Sequence, residues 1–187
     1  MPQPIWPDPP EGTFPYRPRL LLSKRPDHAA GIGAVACEWA ALEGSLVQML
    51  SFSLFAFSKE GGYSLAKTAL ETIESGTIRL EVVAALLKTR IPEDQFALFN
   101  SEIRPDIRKR AAERNRVVHS AWCVHDDYPA DVIARYDNRY WKYSVKDFSE
   151  IAERIVHTTI RMTLFLSKFQ RWDGAGPWNS ILQPEPP

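Results

Sequence analysis

The chain has 187 residues, of which 44% are hydrophobic, 25% charged and 11% aromatic, enough to bury the core of one domain of ordinary size. Its 23 Lys+Arg balance 23 Asp+Glu, which excludes a grossly basic nucleic-acid coat and a polybasic membrane adhesin but leaves room for a local basic groove. Cys37 and Cys123 stand alone, which excludes a disulfide scaffold and argues against a structural zinc.

Seven of the 15 prolines lie in residues 1–18 and four in residues 177–187. Proline fixes φ and removes a backbone donor, so both ends read as extended arms, 1–26 and 172–187. Ile5, Trp6, Phe14 and Tyr16 suggest that the first arm lies on the body. The first residues lack the charged and apolar regions of a secretory signal, and no run of about 18 apolar residues is present. A cytoplasmic protein without a membrane segment is expected.

Between the arms, residues 27–171 read as one helical domain. Asp27 is a candidate cap for a helix running to about Phe57, with Trp39, Leu42, Leu46, Leu50, Leu54 and Phe57 on one stripe. Gly61-Gly62 ends that helix. A second helical stretch covers 63–90, jointed at Ser75-Gly76, and a third covers 93–120, in which Pro105 must start a new helix or kink this one. Residues 121–143 are rich in Trp, Tyr and Val around Asp126-Asp127-Tyr128-Pro129 and read as a β-hairpin or ordered loop. Ser144 with Asp147 resembles a capping box opening a last helix, with Phe148, Ile151, Ile155, Thr159, Met162, Leu166 and Phe169 on one face. The expected class is all-α, a bundle of four to five helices with a small β-hairpin or loop insertion before the last helix.

Two charges fall on apolar stripes. Arg114 lies among Phe96, Phe99, Ile103, Ile107, Ala111 and Val118, and Glu43 among Trp39, Leu46, Val47 and Leu50. A buried unpaired charge costs several kcal/mol, so each needs a partner or a polar cleft, and the two are candidates to pair with one another. The bland alternative is a structural ion pair or an arginine snorkelling past its stem. His119 follows Arg114 by five residues, and residues 104–116 carry six basic side chains (Arg104, Arg108, Lys109, Arg110, Arg114, Arg116) against Asp106 and Glu113. Positive charge beside a histidine suits a phosphate-bearing ligand, although a charge run is more often a solvated helix face. The His125-Asp126-Asp127 run is a poor metal cluster, because three adjacent turn residues rarely converge on one ion. No metal or cofactor is expected.

Arg114-Asn115-x-x-x-His119 at the end of a bundle helix resembles the R-x4-6-H motif of HEPN domains, and Trp39-x-x-Leu42-Glu43-x-x-Leu46 is similar to the first helix of members of that group. The resemblance covers the helical part, about 27–171. It implies a small, usually dimeric helical bundle, and in many members a metal-independent ribonuclease of toxin or defence systems, opposed in some by a neutralising partner protein. It implies cleavage of RNA by 2′-hydroxyl attack, leaving 2′,3′-cyclic phosphate and 5′-hydroxyl ends. Arg114, Asn115 and His119 would be the catalytic set, Glu43 a supporting residue, and Arg110, Arg116 and Trp122 contacts to RNA. Some members carry Tyr two residues after the histidine and are modified by a nucleotidyltransferase antitoxin; here that position is Ala121. The alternative is a non-catalytic module of the same kind that binds nucleic acid or a partner protein.

Overall fold

The computed structural model describes residues 2–6, 14–15, 23–55, 62–125 and 127–169. It is mostly helical with an antiparallel sheet, in the order β1 (Gln3–Trp6), β2 (Phe14–Pro15), α1 (Pro26–Phe55), α2 (Gly62–Glu71), α3 (Gly76–Lys88), α4 (Glu93–Leu98), α5 (Arg104–Val118), β3 (Ala121–Val124), β4 (Val132–Tyr136), β5 (Arg139–Tyr143) and α6 (Val145–Ser167). The expected placement of Phe57, Gly61, Tyr16, the side chains of Ile5, Trp6 and Phe14, Asp126 and the arm 172–187 falls outside the described residues. The chain divides into two compact units, one of Met1–Ala40 with Lys109–Val156, the other of Ala41–Arg108 with His157–Pro187.

The first unit is built on the sheet, whose strand order is β1-β5-β4-β3-β2. The expected hairpin is therefore a larger structure: the Pro-rich arm supplies both edge strands. Pro4 and Pro15 fit there because an edge strand tolerates a residue that cannot donate to the ladder. β4 and β5 form a tight hairpin with Tyr136 opposite Arg139. Asp137 and Asn138, with φ 51° and 55°, make the two-residue turn, the pair of positive φ values that matches strand twist. Trp122, Ala134 and Trp141 lie opposite one another across β3, β4 and β5. The Trp122 ring packs against Tyr143 and Phe148, which stack with centroids 5.2 Å apart. The other side of the ladder buries Cys123, Ile133 and Tyr140 beneath Tyr128.

Two helix starts frame this sheet. Ser144 and Asp147 form the expected box: the Ser144 N–H and Oγ–H donate to Asp147 Oδ2 at 2.8 and 2.7 Å, and the Asp147 N–H donates to Ser144 Oγ at 3.3 Å. At the start of α1, Pro26 takes the first helical position, where its missing N–H costs nothing. Asp27 sits inside the first turn rather than at the cap, and the Ala29 N–H bonds the Arg25 carbonyl. One turn later Gly31 meets Phe148 so closely that an added Cβ would lie 2.7 Å from the Phe148 Cβ, whereas nothing lies within 4 Å of one on Gly33.

The second unit is helical. Its core holds Leu42, Leu46, Met49, Leu50, Phe52, Leu80, Val83, Leu87, Phe99, Ile103, Ile107, Met162, Phe165, Leu166 and Phe169. The joint read at Ser75-Gly76 is a break between α2 and α3, with Ser75 Oγ accepting from the Ile78 N–H. α4 runs into α5 through a π-helical turn at Phe99–Ile103, where the Arg104 N–H reaches back to the Phe99 carbonyl. Pro105, the second residue of α5, lacks an N–H and crowds the carbonyl four residues back, and the wider turn accommodates it. One described helix is long and apolar enough to cross a membrane by length and composition, against the expectation from the sequence: Pro26–Leu54 of α1 has a mean hydropathy of 1.2. In this fold α1 buries Val35, Trp39, Leu42, Leu46, Met49, Leu50 and Phe52, and 33% of the apolar stretch is buried.

Candidate functional site

The arginines of α5 divide into two groups by what faces them. Arg104 and Arg108 both donate to Glu81 of α3. Arg110 is buried at 3% exposure and pairs with Glu113 at 2.7 Å. Glu113 also receives Arg154 of α6 at 3.3 Å, and Arg154 reaches Glu150 at 3.8 Å. This network fixes Arg110 inside the protein and corrects its expected role as a contact to RNA. Arg114 and Arg116 differ: among the described residues neither has a carboxylate within ion-pair distance.

Arg114 is half-buried, its guanidinium 6.0 Å from the centroid of the Trp39 ring. Its Nη1 donates to Asn115 Oδ1 at 3.0 Å and lies 3.1 Å from His119 Nε2. Residues five apart on a helix point about 140° away from each other, so neighbouring faces alone do not bring this pair together. The length of the arginine closes the gap. α5 ends at Val118, the His119 N–H still bonds the Asn115 carbonyl at 3.0 Å, and the imidazole is exposed. A guanidinium has only donors, so Nε2 is the accepting nitrogen of His119 and the ring proton sits on Nδ1. A basic lone pair and a cation thus meet at an open helix end.

Arg116 lies over Trp141 of β5, 3.8 Å from the ring centroid. Ser120 Oγ donates to the Arg116 carbonyl and closes the helix end. Burial pushes the nearby Tyr143 phenol up to about 12, against the pull of Arg116. That hydroxyl therefore stays protonated near neutral pH.

The other candidates are placed elsewhere. Glu43 pairs with Arg79 of α3 at 3.2 Å, with 39% of its side chain exposed, so it is neither buried nor the partner of Arg114. Arg79 is held by a 2.7 Å bond from its Nε to the Ile73 carbonyl and reaches Glu43 from the helix joint. Trp122 is half-buried and its ring packs in the Tyr143–Phe148 aromatic cluster. His125 is buried, and its Nδ1 accepts from the Asp127 N–H at 3.1 Å. Among the described residues no three His, Cys, Asp or Glu side chains converge as a metal site. A polar hollow of about 280 Å³ at the start of α6 mixes Lys142 and Lys146 with Asp131, Asp147 and Glu150, so it carries no excess of positive charge. Trp39 is the residue that sequence reasoning left out of the site, although its place in the Trp39-x-x-Leu42-Glu43 pattern was a signal.

Comparison with family models, with curated proteins and with solved structures finds no match. The site is read from its own chemistry.

Proposed function

We propose that the chain is a metal-independent endoribonuclease of the HEPN kind, with Arg114, Asn115 and His119 as its catalytic set. The observation that carries this reading is the 3.1 Å approach of Arg114 Nη1 to His119 Nε2 at an exposed helix end. In RNA cleavage by the neighbouring hydroxyl, a base takes the 2′-O–H proton, the O2′–P bond forms, the P–O5′ bond breaks, and O5′ takes a proton. His119 Nε2 is the base. Arg114 binds the phosphate and balances charge on the phosphorane. Before substrate arrives the two occupy each other, because Arg114 and the 2′-hydroxyl compete for the same lone pair. A phosphate that draws Arg114 away leaves Nε2 free to act. Asn115 Oδ1 steadies the arginine from the side. The proton for O5′ comes from His119 of a second copy across a two-fold axis, in its imidazolium form with a proton on Nε2, so the active form is a homodimer. A toxin or defence role in the cytoplasm, with a neutralising partner protein, follows from the same resemblance.

The test is incubation of the full chain with a mixed RNA pool in excess EDTA. The reading expects cleavage with 2′,3′-cyclic phosphate and 5′-hydroxyl ends. An intact pool, with direct binding to RNA, would favour the non-catalytic binding module.

A further inference from the structure

We infer that Arg116 and Trp141 form a nucleotide subsite next to the Arg114–His119 centre, at which one unpaired base of single-stranded RNA stacks. The inference rests on the reading of that centre as the cleavage site and names the substrate form it takes. Three observations carry it. Arg116 lies over the Trp141 ring at 3.8 Å, which holds the guanidinium in place at little further cost in side-chain freedom. Arg116 has no carboxylate within ion-pair distance among the described residues, unlike Arg104, Arg108 and Arg110 of the same helix. Arg116 and His119 stand three residues apart at the end of α5, a spacing that places side chains on neighbouring positions.

A guanidinium seated on an indole has one planar face against the ring and another available to a base, while its N–H edge suits phosphate oxygens. A base reaches such a platform only when it is unstacked from its neighbours, so the subsite selects single strands over duplex. Arg114 and Arg116 then divide the work: the first holds the scissile phosphate, the second the nucleotide beside it.

Binding is measured by fluorescence anisotropy with a short, uncleavable 2′-O-methyl oligoadenylate, an abasic phosphodiester of equal length and charge, and the same oligoadenylate in duplex. The wild type is expected to bind the single strand at least about tenfold more tightly than the abasic chain, as one stacked base contributes. Trp141→Leu and Arg116→Lys are both expected to erase most of that difference, bringing affinity for the base-bearing strand down to that for the abasic chain in the same variant. Arg116→Lys keeps the charge and leaves β5 untouched, so it decides the matter if Trp141→Leu fails to fold. Equal affinity of the wild type for base-bearing and abasic strands, or an unchanged preference in Arg116→Lys, would overturn the subsite. The cleavage reading is scored separately: RNA cut normally by a protein without base preference sinks the subsite alone. Base-dependent binding through Arg116 without cleavage sinks the reaction alone.

Discussion

Arg114 Nη1 lies 3.1 Å from His119 Nε2, and because a guanidinium can only donate, the pair fixes which imidazole nitrogen carries the lone pair. In the proposed reaction the arginine is a positioning group for the histidine as well as a cation for phosphate. Arg114→Lys keeps the charge but loses the guanidinium Nη1 that reaches Asn115 and His119 together. It is expected to lower kcat by about two orders of magnitude, the usual effect of removing one oriented donor in a transition state, with a smaller change in RNA affinity. Single-turnover cleavage rates and anisotropy on the same variant separate the two effects.

Gly31 and Gly33 offer an internal comparison. Both lie in α1, but a Cβ at Gly31 would sit 2.7 Å from the Phe148 Cβ, an atom fixed to the backbone of α6. Gly31→Ala is expected to destabilise by about 1–3 kcal/mol, because a helix must shift to relieve the clash. Gly33→Ala, with open space around it, is expected to be neutral or to stabilise by up to about 1 kcal/mol through helix propensity. Urea titration of both variants checks the sign of each.

The charge pairs make opposite predictions. Glu43 and Arg79 are partly exposed, so Glu43→Ala is expected to cost less than about 1 kcal/mol. Arg79→Ala should cost more, since it also loses the bond to the Ile73 carbonyl across the helix joint. Arg110 is buried with Glu113, and Arg110→Ala takes away the nearer of the two cations on that carboxylate and leaves it to Arg154 alone, at an expected cost of about 1.5–3 kcal/mol. Thermal melts that rank Arg110→Ala above Arg79→Ala and Arg79→Ala above Glu43→Ala would bear this out.

His28 gives a pH dependence. Its ring is buried edge-on to Phe148, and burial lowers its pKa from 6.5, helped by Arg25 and opposed by Asp131 and Asp27. A histidine kept neutral in the fold binds its proton more readily when unfolded. Its contribution is therefore nil above 6.5 and turns unfavourable as pH falls from 6.5 toward the lower folded value. Stability of the wild type should fall more steeply than that of His28→Gln between about pH 7 and about pH 5. Parallel curves for the two proteins would remove His28 from the account.

Much of the helical frame was legible in the chain. Three-and-four spacing marked the buried faces of α1 and α6, Ser75-Gly76 marked a joint that the structure makes a helix start, and Ser144 with Asp147 marked the start of α6. The strands β1 and β2 were not legible, because a run of prolines reads as an extended arm, and only pairing with β5 and β3 turns it into sheet edges. The stripe read on α5 held Arg114 alone, whereas in the structure Arg110 is the buried arginine of that helix. A helical wheel cannot tell which of them finds a carboxylate; Glu113, three residues on, takes the first and leaves the second to His119. The partner of Glu43 lies 36 residues away on another helix, beyond the reach of any local pattern. The Arg114–Asn115–His119 set was legible as a motif, but the bond that joins it depends on the arginine's rotamer, which no spacing rule specifies.

The most direct test of the central claim is the cleavage of a mixed RNA pool by wild type and by His119→Ala, in EDTA, with circular dichroism to show that the variant is folded. His119 is exposed at a helix end and carries no core packing, so its loss should leave the melting temperature within a few degrees of the wild type. The account predicts 2′,3′-cyclic phosphate ends from the wild type and none above background from a folded His119→Ala. Equal cutting by the two proteins, or no cutting by the wild type across the pool, would contradict it.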